Sequence, residues 1–277
     1  MVDHASIARN RCVEIYDQHT ATRSPNTRQG IAQPSLQAVI LAAGRGSRID
    51  GAIDSQPKCL AVVGGRTLVD HQLSLLEEVG ITRICVVVGY RGTEVSKVVG
   101  TRAECIHNSL WKGTDSLYSL WLSRKWVVGS FVVMNCDVLL HPEVLRRILA
   151  KHGSAFAYDS SSGTEQEHMK VELKNGYLHS MSKALPPERS HGENVGALYF
   201  NNRTAQLLFR EAELLIRSGN QQKWMAAAVQ QVARRARLRG IDVSDLPWIE
   251  IDFPSDLRKA QDITWPTISV SRATQAP

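Results

Sequence analysis

The sequence predicts an α/β protein with a mixed, mostly parallel central sheet, helices on both faces and a smaller β-rich region. Three observations predict it. The runs QAVILAA (37–43), ITRICVVVGY (81–90) and GSFVVMNCDVLL (129–140) are apolar almost throughout instead of alternating, the pattern of strands covered on both sides. Helical patterns separate them, so the strands are joined by crossovers. Beyond residue 153 the runs shorten, and Asn175-Gly176 marks a hairpin turn.

In chain order, residues 1–34 form an extension. ARNRCVEIYDQ (8–18) has the pattern of a short helix, and the polar stretch that follows, with glycine and proline breakers, is a linker. The main domain is expected over 35–265, with its β-rich part at about 154–200 and a loose tail at 266–277. LVDHQLSLLEEVG (68–80) places apolar residues on one helical face and stops at Gly80. TDSLYSLWLSRKW (114–126) and HPEVLRRILAKHG (141–153) are further helices, the second with an early proline and a late glycine. SAFAYDS (154–160), MKVELKNGYLHSMSK (169–183) and NVGALYF (194–200) are short strands. Residues 203–219 and 222–240 are expected as helices. WIEIDFPSDLRKAQDI (248–263) is a strand, a turn and the start of a helix.

Composition narrows the function without fixing it. Lysine and arginine total 33 against 27 acids, a net charge of +6. The basic residues are scattered, and RRARLRG (234–240) is expected on a solvated helix end, which does not make the dense basic, aromatic-rich face of a nucleic-acid binder. The five cysteines, Cys12, Cys59, Cys85, Cys105 and Cys136, are odd in number and form no CxxC pair. That fits a reducing cytoplasm and no structural zinc. No apolar run reaches the roughly 18 residues of a membrane span, and the first residues lack the apolar core of a leader.

The stretch AVILAAGRGSRI (38–49) runs from a buried strand straight into a turn made of Gly44, Arg45, Gly46, Ser47 and Arg48. Such a turn suits an anion, because glycines let backbone N–H groups approach phosphate oxygens and arginine offers a planar fork. Three designs use it. A dinucleotide turn wants a third glycine, and Ile49 stands there; the P-loop pattern is absent. A nucleotidyltransferase loop is followed by a Pro-Lys pair, and Pro57-Lys58 follows. A plain tight turn with solvated arginines is the remaining alternative.

With the segments VVVGY, TDSLYSLW, NCDVLL, MKVEL…SMSK, GENVGALYF and WIEIDFPSDLRKA in that order, the chain resembles the sugar-nucleotidyltransferase superfamily over about residues 36–264. Within it, the chain is similar to choline-phosphate cytidylyltransferases of the bacterial lipopolysaccharide-modifying type and their phosphonate-handling relatives. The resemblance implies a Rossmann-like nucleotidyltransferase fold. It also implies transfer of CMP from CTP to a small phosphate or phosphonate acceptor, such as phosphonoformate, aminoethylphosphonate or phosphocholine, with pyrophosphate leaving. Neither nucleic acid nor membrane is an expected partner, and the sequence does not fix an oligomeric state.

Roles follow position by position from the same resemblance. Leu41, Ala42, Ala43, Gly44, Arg45, Gly46 and Ser47 would cradle the nucleotide, with Gly89, Tyr90, Thr114, Asp115 and Ser116 near the base. Lys58 and Arg48 would be catalytic. Asp137 and Asp252 would bind Mg2+, with Glu250 a rival carboxylate on the same strand face as Asp252. Lys170, Lys183, Glu193 and Gly196 would line the acceptor pocket. Bland readings stand beside these: Asp137 a turn residue, Asp115-Ser116 a helix N-cap, the two lysines solvated and Glu193 a surface acid. Asp115 stands where the family often has asparagine. An aspartate accepts hydrogen bonds but cannot donate them, which leaves the choice of base open. A choline headgroup would favour a carboxylate or an aromatic cage, for which Trp111, Tyr118, Tyr158 and Trp248 are candidates; Lys112, Arg189 and His191 would favour a more anionic acceptor. The rival functions are a sugar-1-phosphate uridylyl- or thymidylyltransferase, a nicotinamide-dependent dehydrogenase and a non-catalytic nucleotide-binding regulator.

Overall fold

β1 (Gln37–Ala42) is the central strand, hydrogen-bonded in parallel to β4 (Arg83–Val88) on one side and β6 (Phe131–Asn135) on the other. A computed structural model describes residues 35–274; the extension at 1–34, with Cys12, and residues 275–277 lie outside the described residues. β1 is buried along its whole length because its alternate side chains enter different cores. Ala38, Ile40 and Ala42 face α1 (Leu68–Glu78), α2 (Gly92–Val99) and α4 (Pro142–Leu149). Val39 and Leu41 face α3 (Ser116–Leu122), α5 (Asn202–Arg217) and α6 (Ala226–Ala233). Continuous apolar character is thus the sum of two period-2 patterns, one for each face.

The full sheet has nine strands among the described residues. Its first four, in the order β5 (Glu104–His107), β4, β1 and β6, are all parallel. The next, β11 (Gly192–Phe200), runs antiparallel to β6 and to β8 (Ser154–Asp159). Then come β12 (Leu238–Asp242), parallel to β8, and the hairpin of β9 (Lys170–Lys174) and β10 (Tyr177–Ser182). β9 returns to pair with the start of β11, so this half curls back on itself. The expected mixed sheet is present, with parallel pairing concentrated in its first half.

Local signals explain several boundaries. The Thr67 hydroxyl accepts from the N–H of Asp70 and starts α1; the Asn201 side chain does the same for α5 through Thr204. Asn175 and Gly176 both sit at positive φ, the requirement of the tight hairpin turn between β9 and β10.

Three expectations are corrected. The run 129–140 is not one strand: it breaks at Cys136-Asp137, and β7 (Val138–Leu140) leaves the main sheet to pair with β13 (Trp248–Glu250). Residues 234–240 are not a helix end. The helix stops at Ala233, and Leu238–Asp242 enters the sheet as β12, because Leu238 is fully buried there. The tail is not loose over its described part. After α7 (Pro254–Lys259) and one wide turn, α8 (Trp265–Thr274) buries Ile268. The ring of Trp265 covers Gly64 and packs on His71, so apolar contact, not helical periodicity alone, orders this segment. The helix α2 and the hairpin of β2 (Val62–Val63) and β3 (Arg66–Thr67) had no clear sequence signal.

Candidate active site

The carboxyl ends of β1 and β6 open onto a cavity of about 660 Å³, the place where parallel sheets hold ligands. One wall is the turn that leaves β1. Gly46 has φ +72°, and a Cβ there would lie 2.8 Å from the Cβ of Lys58. Glycine is therefore required twice over, by backbone conformation and by the lysine stem packed against it. A Cβ on Gly44 would meet nothing within 4 Å, and this residue lines the cavity.

Lys58 sits in a short helical turn with its stem buried and its ammonium in the cavity wall. Its Nζ donates to Asp137 Oδ2 at 3.0 Å and to Asp252 Oδ1 at 2.5 Å. Burial alone would lower the pKa of this ammonium, but the two carboxylates outweigh it and hold the value above that of an ordinary lysine.

The carboxylates come together because of the strand break. Asp137 lies in the turn between β6 and β7; β13 pairs with β7, Glu250 opposite Val138, and the N–H of Ile251 donates to the carbonyl of Asp137. The carboxylate of Asp256 accepts the N–H groups of Asp252 and Phe253 and fixes the start of α7. Asp137, Glu250 and Asp252 can each place one oxygen within 4.8 Å of the others. Burial first, then the charges of Asp137 and Asp252, pushes the Glu250 carboxyl well above the usual range. For Asp252, burial raises the carboxyl, but Lys58, Arg48 and Lys183 together outweigh it and keep this acid below the usual range. Asp137 Oδ1 is buried with no hydrogen-bond partner among the described residues. An unpartnered buried carboxylate oxygen beside two further acids fits a hard divalent cation such as Mg2+, which takes oxygen ligands from one or two carboxylates and from phosphates.

Of the predicted positions, Leu41, Ala43, Gly44, Arg45, Gly46, Ser47, Arg48, Lys58, Thr114, Asp115, Ser116, Asp137, Lys183 and Asp252 line the cavity. Ala42 does not, since the strand pleat turns it into the core against α1. Gly89 and Tyr90 lie behind the wall. A Cβ on Gly89 would strike the carbonyl of Ala43 and the Cβ of Trp111, and the Tyr90 hydroxyl donates to the carbonyl of Ser55 while its ring lies under Arg45. Asp115 caps α3, accepting from the N–H of Ser116 at 2.6 Å, and lines the cavity as well, so its two readings coexist. Burial pushes its carboxyl up. Lys170 is buried and donates to the carbonyl of Lys183; of the two lysines, Lys183 reaches the cavity.

Glu193 is neither a surface acid nor a lining residue. It is buried behind the wall and accepts from the Ser162 hydroxyl at 2.6 Å. Its neighbour Asn194 lines the cavity instead, with a buried Oδ1 that has no partner among the described residues. No sequence signal separates Asn194 from Glu193, because the irregular pairing of β11 with β8 sets which of the two faces the cavity. Gly196 packs against Asn135 and Val138 just behind the lining. Of the proposed aromatic cage, Trp111 lines the cavity; Tyr118, Tyr158 and Trp248 do not. The indole of Trp248 donates to Asp159. Arg189 is paired with Glu172, whereas Lys112 lines the cavity. Trp224 lines it too, with Lys183 Nζ 5.0 Å from its ring.

Gln72 was not foreseen. It is buried on α1 and donates to the carbonyls of Asn135 at 2.7 Å and Val138 at 3.0 Å, clasping the turn that carries Asp137. Asn108 plays a similar part under the opposite wall, donating to the hydroxyls of Thr114 and Ser119.

Residues 38–194, more than half of the chain, match the MobA-like NTP transferase domain. The chain belongs to this family. It is a nucleotidyltransferase, and the glycine turn is not that of a dehydrogenase. Similar proteins include the bifunctional IPC transferase and DIPP synthase of Rubrobacter xylanophilus, 30% identical over 236 residues, covering 82% of this chain and 51% of the relative. The CMP-5'-(3-aminopropyl)phosphonate synthase of Streptomyces rubellomurinus is 29% identical over 255 residues, covering 81% of this chain and 38% of the relative. The transferase thus spans about half or less of these two relatives. Among solved structures, a CTP:phosphocholine cytidylyltransferase from Streptococcus pneumoniae superposes with a TM-score of 0.69 at 20% identity, covering 82% of this chain and 98% of that one. That likeness establishes the fold. Among the described residues, no helix is long and apolar enough to cross a membrane.

Proposed function

We propose that the protein is a magnesium-dependent cytidylyltransferase that joins CMP from CTP to a small phosphate or phosphonate and releases pyrophosphate. One observation carries the reading: Lys58, Asp137, Glu250 and Asp252 converge beside the glycine-arginine turn in one cavity. Relatives named for CMP transfer support the choice of nucleotide.

In this reading the backbone of Gly44 to Ser47 and the guanidinium of Arg48 hold the β- and γ-phosphates, and the pyrophosphate departs along them. An acceptor oxygen attacks the α-phosphorus, and the bond to the α–β bridging oxygen breaks. Lys58 stands beside the α-phosphate and neutralises charge that builds there; a fixed cation in a partly dry wall does this without reorganising. Asp137, Glu250 and Asp252 would hold magnesium, which supplies further neutralisation of phosphate charge. Lys183, which also lines the cavity, draws the anionic acceptor. A phosphate or phosphonate is already ionised near neutral pH, so the site needs no general base.

The test is pyrophosphate release from each of CTP, UTP, dTTP, ATP and GTP with magnesium, against phosphocholine, 2-aminoethylphosphonate, phosphonoformate and a panel of sugar 1-phosphates. Turnover is expected with CTP and a non-sugar acceptor. Turnover restricted to UTP or dTTP with a sugar 1-phosphate would replace this reading with its rival, and no turnover with any pair would remove it.

A further inference from the structure

Glu167 has no part in the chemistry above, yet it touches both walls of the cavity. It lies in the loop between β8 and β9, and one of its oxygens, Oε2, takes two donors: Arg48 Nη1 at 2.8 Å and Lys183 Nζ at 3.2 Å. Arg48 belongs to the turn after β1, while Lys183 follows β10. The bridge therefore joins the wall assigned to the polyphosphate to the wall assigned to the acceptor. Nη2 of Arg48 is held by Asp252 at 3.1 Å. Arg48 and Lys183, one assigned to the polyphosphate and one to the acceptor, thus share the same carboxylate oxygen.

We propose that Glu167 couples the two substrates, so that a polyphosphate engaging Arg48 expels the carboxylate and frees Lys183 for the acceptor anion. This rests on the nucleotidyltransferase reading of the two walls. A triphosphate and a carboxylate repel each other at contact distance and compete for one guanidinium. The same oxygen accepts from both donors, so the polyphosphate that takes Arg48 also places its negative charge against the oxygen that Lys183 holds, and repulsion drives the carboxylate off both. The acceptor then meets a free ammonium, steadied by the ring of Trp224. Coupling of this kind is reciprocal: the acceptor must tighten the nucleotide by the same factor. Glu167 is about half exposed, which puts the effect at about threefold, within the range of exposed ion pairs.

The experiment measures the Kd of inorganic phosphate, as an acceptor probe, by calorimetry with magnesium present. It is run with and without a saturating non-cleavable nucleotide, the α,β-methylene analogues of CTP and UTP being tried in turn, in wild type and in Glu167→Gln. In wild type the nucleotide analogue should tighten phosphate about threefold. In Glu167→Gln, phosphate alone should already bind about threefold more tightly than in wild type, and the analogue should add no further tightening. A merely structural Glu167 would weaken both ligands and leave their coupling unchanged, and an equal coupling factor in the two proteins overturns the proposal. A wild type that binds neither analogue overturns the cytidylyl- and uridylyltransferase readings of the two walls, and the proposal with them.

Discussion

The two halves of the sheet carry the two sides of the cavity, and they are built differently. The half with β5, β4, β1 and β6 is parallel, sits between two layers of helices and ends in short turns that hold Gly44 to Arg48 and Asp137. The half with β8, β12, β10 and β9 is largely antiparallel, curls back through β9 to β11 and offers Lys183 and Asn194. Parallel strands need a crossover between them, usually a helix, so their carboxyl ends fall on one edge and position is set by topology. In the antiparallel half, which residue faces the cavity depends on pleat and register, and a shift of one residue reverses it. If this difference is real, damage to the first half should act on the chemical step, and damage to the second on acceptor binding or on stability alone.

The largest effect is expected at the junction of Lys58 and Asp137. Lys58→Met should lower kcat by about 10²–10³-fold, the usual loss for one charge-stabilising donor, and Asp137→Asn should abolish magnesium-dependent turnover. Steady-state kinetics with titrated magnesium checks both. Near-normal kcat in either variant would remove the parallel half from the chemistry.

Gln72→Leu sharpens the same point from a distance. Gln72 lines no part of the cavity and acts only by clasping the turn of Asp137. Replacing it should cost about 10–100-fold in activity or metal affinity, as loss of groups that orient ligands does, while the KM for the nucleotide stays near wild type. A rise in nucleotide KM with kcat unchanged would show that Gln72 supports the wrong wall.

The same contrast explains what the sequence disclosed. Its strong signals were those of backbone necessity: continuous apolar strands, the glycine turn against Lys58, Asn175-Gly176 in its hairpin. Asp137 and Asp252 stand out in the sequence because they follow apolar strand residues where a sheet ends, and the fold brings them together with Glu250. The sequence was silent on partners that meet only in three dimensions. Gln72 reaches over 60 residues to its carbonyl partners, and Glu167 bridges residues on either side of it. The choice of Glu193 over Asn194 failed by one position because the pleat around the irregular pairing of β11 with β8 is a tertiary property. RRARLRG misled in a similar way: its charge pattern suits a helix end, yet Leu238 anchors it as a strand.

Glu193 gives the smallest effect and the cleanest probe of the antiparallel half. Burial is the main cause that raises its carboxyl pKa, opposed by the Ser162 hydroxyl and by His168, whose Nδ1 lies 3.6 Å away; Asp159 and Glu165 push it further up. A carboxyl raised in the folded state binds its proton more tightly there than in the unfolded chain. Its favourable contribution is therefore complete below the ordinary carboxylate range and is lost as pH rises through the folded value. Glu193→Gln keeps an acceptor oxygen for Ser162 and carries no charge. The melting temperature of the variant should match wild type near pH 4 and exceed it increasingly towards pH 8, with kcat almost unaffected. A variant that melts lower than wild type at every pH would show that Ser162 and His168 need the ionised carboxylate. A large fall in kcat would place Glu193 in the cavity after all, and the two halves of the sheet would no longer divide between chemistry and support.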